Sequence, residues 1–238
     1  LLGEFGVEVL SFTQSIGGVD IGFEGADPGS ISVDELEASP VRCPDPDASA
    51  RMVAAIDEAA ERGDTLGGTF RVVARGLPPG LGSYVHWDRK LDGRLAQAVL
   101  SINAVKGVEF GAGFAGVARP GSEFHDEIDY DNGRFTHRTN RAGGLTGGVT
   151  NGEPIDLRVA IKPISTMKKP MQSIDLKTKE KTEAHYERSD VCVVPAAGVI
   201  GEAVVALTLA DAFLEKFGGD SMAELDRNYR SYMESIAQ

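Results

Sequence analysis

The sequence predicts an α+β fold. Stretches 6–13 and 157–162 alternate apolar and polar residues with the period of a strand, and 69–76 also reads as a strand. Other stretches repeat apolar residues every three or four positions and carry helix start or stop signals. Strands and helices succeed each other at irregular intervals, which favours α+β over a regular parallel repeat. The 238 residues are read as one domain over 1–238, long enough to bury a full core.

Taken in order, 6–13 reads as a half-buried strand, and 24–42, rich in acid, Gly, Pro and Ser, as a surface excursion. A helix follows. Asp45 suits its cap, Pro46 its first turn and Gly63 its end. Met52, Val53, Ile56, Ala59 and Ala60 form its apolar side. The strand over 69–76 stops at Leu77-Pro-Pro-Gly80. Residues 91–102 read as an amphipathic helix burying Leu95, Val99 and Ile102, with Asn103 suited to a left-handed end. Short strands are expected over 105–110 and 134–137, and a clearer one over 157–162. The most apolar helix, 195–217, opens at Pro195 and stops at Gly218-Gly219. The last helix starts with a capping box, Ser221 with Glu224, and buries Leu225, Tyr229, Tyr232 or Met233, and Ile236.

A formal charge of −12 argues against a nucleic-acid surface, which needs clustered Lys and Arg. It leaves room for a local cationic pocket, because the cleft sets the field. Cys43 and Cys192 lack CxxC partners, so a reduced, cytoplasmic protein is expected. No apolar run is judged long enough to span a bilayer, and no membrane partner is expected. The four histidines lack metal-ligand spacing, so no metal site is expected.

Several stretches can carry chemistry. Residues 141–152 include five glycines, which let a backbone approach a ligand and offer N–H groups to an anion. The same loop reads as a plain glycine-rich hairpin, and it matches neither the dinucleotide fingerprint nor the P-loop. Lys162-Pro-Ile-Ser-Thr166, at a strand end, offers a cation, two hydroxyls and backbone N–H groups to a phosphate, or else forms an exposed turn. His125 adjoins Asp126 and Glu127, which would raise its pKa and make it a base or a salt-bridge partner. Arg188 and Asp190 stand two apart, just before the Pro195 helix start. On a strand they would share one face, the arginine gripping an anion and the aspartate serving proton transfer. They read equally as a structural ion pair.

Taken together these stretches resemble the chorismate synthases. The matching pieces are Leu91-Asp-Gly-Arg-Leu-Ala, Ser101-Ile-Asn-Ala-Val-Lys-Gly-Val-Glu109 and His125-Asp-Glu127. Thr139-Asn-Arg-Ala-Gly-Gly144, Gly147-Gly-Val-Thr-Asn-Gly152, Lys162-Pro-Ile-Ser-Thr166, Arg188-Ser-Asp-Val-Cys192 and Phe217-Gly-Gly-Asp220 follow in the family's order. Thr65-Leu-Gly-Gly68 and Gly76-Leu-Pro-Pro-Gly-Leu-Gly-Ser83 also fit.

The resemblance implies a β-α-β sandwich, incomplete at its N-terminus here, and usually a homotetramer. It implies a carbon–oxygen lyase of the shikimate pathway, which leads to the aromatic amino acids. That lyase converts 5-enolpyruvylshikimate 3-phosphate to chorismate and phosphate by 1,4-anti elimination, with reduced FMN as cofactor. Carried over by position, Asn103, Ala104, Gly147, the run Lys162, Pro163, Ile164, Ser165 and Thr166, and Arg188 would bind the cofactor. Asp190 would be catalytic, helping to move the proton through flavin N5. The family's two catalytic histidines and its arginine- and serine-rich motif belong to a portion upstream of the stretches matched here. The alternative expectation is therefore a non-catalytic FMN-binding or assembly fragment.

Overall fold

The computed structural model of the chain describes residues 1–22, 30–131 and 133–236. A 3-10 turn at Leu2–Phe5 leads into β1 (Glu8–Ile16) and the short β2 (Val19–Asp20). Next come α1 (Val33–Ala38), α2 (Pro46–Glu61) and β3 (Gly68–Arg75). α3 (Leu91–Leu100) runs into β4 (Val105–Phe110), followed by the one-turn helices α4 (Gly113–Gly116) and α5 (Gly121–Phe124). Two hairpins follow, β5 (Ile128–Asp131) with β6 (Arg134–His137), and β7 (Leu145–Thr146) with β8 (Val149–Thr150). The long β9 (Ile155–Ile161) precedes a third hairpin, β10 (Gln172–Ile174) with β11 (Lys181–Glu183). α6 (Val194–Phe217) and α7 (Met222–Ile236) end the described chain.

The main sheet has the order β2-β1-β3-β9-β4, with every neighbouring pair antiparallel. The fold is α+β, as the sequence predicts. α6 lies on β1 and β3, and α3 packs beside it on β4. Phe70 and Val72 of β3, Leu157 and Val159 of β9, Leu95 and Val99 of α3, and Val205, Leu209 and Phe213 of α6 are fully buried between these layers. Each such side chain contributes about 1.5–3 kcal/mol of hydrophobic stabilisation. α6 comes close to the sheet because Gly198 and Gly201 carry no side chain. A Cβ there would stand 2.9 Å from the Ser11 hydroxyl and 2.9 Å from the Phe70 ring.

The other face of the sheet buries a charge pair. Arg71 and Asp156 have side-chain exposures of only 1% and 5%. The Arg71 Nε–H donates to Asp156 Oδ1 at 2.9 Å, and the guanidinium lies 5.2 Å from the Phe12 ring centre. Burial pushes the Asp156 carboxyl up, and the guanidinium pulls it back only in part. Leu10, Phe12 and Val73 on this face are covered by Ile31 and Leu36.

The capping signals work as the sequence suggests. Asp45 accepts the Ala48 N–H at 2.8 Å to start α2, and Gly63 follows the helix with φ 70°. Ser221 accepts the Glu224 N–H at 3.3 Å, while Glu224 accepts the Asp220 N–H at 2.7 Å.

Four readings need correction. Of the excursion, 24–29 lie outside the described residues; the rest forms α1 and buries Ile31, Leu36 and Val41, because the sheet's second face needs an apolar cover. Ile236 is 36% exposed instead of buried. The left-handed residue after α3 is Ala104, at φ 68°, and not Asn103. α6, with 24 residues and a mean hydropathy of 1.8, is long and apolar enough to cross a membrane. Here one side of it is the core helix of the sheet, whereas Val199, Ile200, Leu207 and Leu214 on other sides are exposed.

Candidate functional site

Three stretches far apart in sequence meet where β9 ends. Ile161 pairs with Gly68 of β3 on one side and Val105 of β4 on the other. The residues just before those strands, Thr65–Gly67 and Asn103–Ala104, are thereby brought beside the segment leaving Ile161. The Lys162 N–H donates to the Ala104 carbonyl at 3.0 Å. Ala104 holds its positive φ at this junction, a conformation that costs energy for a residue with a Cβ. Gly67 is required by close approach, since a Cβ there would collide with the Ile161 carbonyl.

A fourth stretch is laid along the first. The Leu66 N–H donates to the Val191 carbonyl at 2.8 Å, and Leu66 bridges Cys192 in parallel. Two hydroxyls fasten the segment after β9. Thr65 donates to the Ile164 carbonyl at 2.7 Å, and Ser189 donates to the Thr166 carbonyl at 2.6 Å. A cavity of about 190 Å³ opens here, lined by Asp64, Thr65, Thr166, Tyr186, Arg188 and Asp190 among others.

Arg188 and Asp190 do not form the structural ion pair that is one of their two readings. Among the described residues, neither Arg188 nor Asp190 has an ion-pair or hydrogen-bond partner for its side chain. They lie in an irregular segment, so the shared strand face does not apply. Lys162 is exposed, and among the described residues its Nζ reaches only the Pro163 carbonyl, at 3.3 Å. The backbone N–H groups of Ile164, Ser165, Thr166 and Met167 have no acceptor among the described residues. Among the described residues this edge thus offers two unpaired cations, a free carboxylate and a row of free amides. Such a set suits a phosphate-bearing or carboxylate ligand. Cys192 adjoins it, but burial pushes its thiol up, away from nucleophilic use.

Gly147 lies elsewhere. It turns the β7–β8 hairpin with Gly148, at φ 66° and 98°, with its backbone face open. The hairpin is fixed to the start of α3, where the Leu91 N–H donates to the Gly148 carbonyl at 2.9 Å. The glycine loop joins the sheet at the opposite end of β9, where Gly143 accepts the Asp156 N–H at 3.3 Å. The seven residues of β9 place about 20 Å between those ends. Within one chain, the structure does not bring Gly147 to Asn103, Lys162, Arg188 and Asp190.

His125 does not meet the acids beside it. Asp126 accepts the Arg141 and Ala142 N–H groups at 2.8 and 2.9 Å, and Glu127 pairs with Arg138 at 2.7 Å. His125 is exposed in a separate cavity of about 450 Å³, with Arg119, Arg138 and Arg141. Sequence reasoning missed Asp64, Thr65, Tyr186 and Ser189 at the candidate site. For Thr65 and Ser189 the only signal was membership of the stretches 65–68 and 188–192, and Asp64 and Tyr186 carried none, because the contacts span as many as 99 positions.

A family model described as chorismate synthase matches residues 1–214. The chorismate synthase of Carboxydothermus hydrogenoformans is 54% identical over 239 residues, covering 99% of this chain and 61% of that protein. That of Symbiobacterium thermophilum is 56% identical over 243 residues, covering all of this chain and 61% of that protein. A solved structure titled "Crystal Structure of Chorismate Synthase" superposes with a TM-score of 0.82 at 40% identity, over 99% of this chain and 65% of the solved one. The chain thus spans about three fifths of the length of the curated relatives it matches.

Proposed function

This chain belongs to the chorismate synthase family, and on that premise we propose that it forms part of a lyase making chorismate. The substrate would be 5-enolpyruvylshikimate 3-phosphate, which loses a ring proton and phosphate in a 1,4-anti elimination. The observation that carries this reading is the convergence at one sheet end. Asn103–Ala104 lies against the start of the Lys162–Thr166 segment and the Arg188–Asp190 stretch against its end, which suits a ligand laid along that segment.

The residues present fit FMN. Lys162 and the free amides from Ile164 to Met167 would hold its phosphate, with Asn103 and Ala104 alongside. Reduced flavin, when bound, supplies electron density to the reacting ring. Arg188, unpaired at the cavity, would face an anionic group of substrate or cofactor. Asp190 would serve the proton lost from the ring, its carboxylate free of other duties.

The reading places the protein in the cytoplasm as a homotetramer, without a nucleic-acid or membrane partner. A charge of −12 supports the former exclusion, and the packing of one side of α6 on the sheet supports the latter. Exposed apolar residues on the β5–β6 hairpin, Ile128, Tyr130 and Phe135, suit association.

A second reading, a non-catalytic FMN-binding or assembly fragment, is favoured by the uncovered apolar residues of α6. Asp190→Asn separates the two. A lyase role predicts at least about a 100-fold fall in kcat with FMN affinity within about two-fold, the range of a lost general acid–base group. Equal loss of both would remove Asp190 from proton transfer.

A further inference from the structure

We infer that Thr65 and Ser189 are positioning residues that aim two backbone amides at the anionic end of the ligand. The inference rests on the reading of Lys162–Thr166 as the seat of the flavin phosphate. A trans peptide holds its carbonyl and its N–H on opposite sides. The chain has no cis peptide bonds among its described residues. The Ile164 carbonyl is drawn to the Thr65 hydroxyl at 2.7 Å, so the Ser165 N–H of the same peptide points away from Thr65. The Thr166 carbonyl is drawn to the Ser189 hydroxyl at 2.6 Å, so the Met167 N–H points away from Ser189. Neither N–H has an acceptor among the described residues.

The two clamps come from different directions in sequence. Thr65 precedes β3 and is 7% exposed, and Ser189 lies in the stretch laid along Leu66. Both hydroxyls spend their proton on a carbonyl and so act through the backbone. Without them the segment from Ile164 to Met167 is held by backbone bonds only at its two ends, through Lys162 and Lys169. With them, two amides two residues apart are set before any ligand arrives. Such preset donors bind an anion without paying orientation entropy at that moment.

The test uses the 238-residue chain with FMN and riboflavin, which differ by the phosphate alone, and reads both dissociation constants by flavin fluorescence together with Tm. Thr65→Val and Ser189→Ala delete the hydroxyls; Thr65→Ser and Ser189→Thr retain them. Each deletion is expected to weaken FMN by about five- to ten-fold, the worth of one net hydrogen bond, and to leave riboflavin within about two-fold. The retaining variants are expected to restore FMN binding. Equal weakening of both flavins, or unchanged FMN binding, would overturn the inference, and Ser189→Ala alone decides it should Thr65→Val unfold. If the unsubstituted chain does not prefer FMN to riboflavin, the phosphate reading itself fails and this inference falls with it.

Discussion

Replacing Arg71 by methionine tests how the sheet that carries the site is held. The change keeps a long side chain and removes the guanidinium. Asp156 then stays buried, at 5% side-chain exposure, with no other ion-pair partner for its carboxylate among the described residues. Breaking a buried pair from one side costs about 3–5 kcal/mol, because the remaining charge is left without compensation. For a chain of this size each kcal/mol lowers Tm by about 2–4 °C, so a fall of about 6–20 °C is expected at neutral pH. The cost must also depend on pH. Burial already raises the Asp156 carboxyl above its ordinary 3.8, and loss of Arg71 raises it further. Folded Asp156 then keeps a proton that the unfolded chain releases, so stability falls as pH rises from 3.8 through the raised value. The penalty should shrink as pH falls toward 3.8. Urea denaturation of variant and parent at pH 7 and pH 5 measures both. A companion with Arg71→Met and Asp156→Leu should recover to within about 1 kcal/mol of the parent, since an apolar pair can replace a buried ionic one. A variant within about 1 kcal/mol of the parent at pH 7, or a penalty independent of pH, would refute the reasoning.

Lys162→Ala should weaken FMN binding by about ten-fold, as expected for one charge-assisted phosphate contact, and unchanged affinity in a titration would remove Lys162 from the site. Cys43 and Cys192, both free and both with thiols raised by burial, should react with iodoacetamide slowly at pH 7 and rapidly in urea. Fast labelling of the native protein, followed by mass spectrometry, would contradict the packing around them.

Much of the fold was legible because local chemistry governs it. Asp45, Gly63, Ser221 and Gly218 mark real helix ends, since caps depend on residues within a few positions. β1 and β9 were found because alternation runs over at least six residues, whereas β3 and β4 were read as strands without it. The hairpins β7–β8 and β10–β11 escaped, because two or three residues per strand carry no measurable period. α1 was read as an excursion, because Leu36 is one apolar residue among acids and its partner surface is Leu10 and Phe12 of a distant strand.

The site was legible in pieces only. The stretches at 103–104, 162–166 and 188–190 each had an ordinary structural alternative. Their meeting depends on the pairing of β9 with both β3 and β4, which no single stretch encodes. The Thr65 and Ser189 clamps were invisible for the same reason. His125 misled because adjacency in sequence is not contact: Asp126 and Glu127 turn to backbone amides and to Arg138. Ala104 was passed over as the left-handed residue because Asn is the commoner choice there.

The central claim is that this chain carries the flavin-binding edge of a chorismate-forming lyase. The most direct measurement is anaerobic conversion of 5-enolpyruvylshikimate 3-phosphate with reduced FMN bound, following chorismate and phosphate together. The account predicts that both products appear in equal amounts, that oxidised FMN supports none, and that Asp190→Asn nearly abolishes the reaction. Bound reduced FMN with intact substrate and no chorismate would contradict it, and would leave the non-catalytic reading standing.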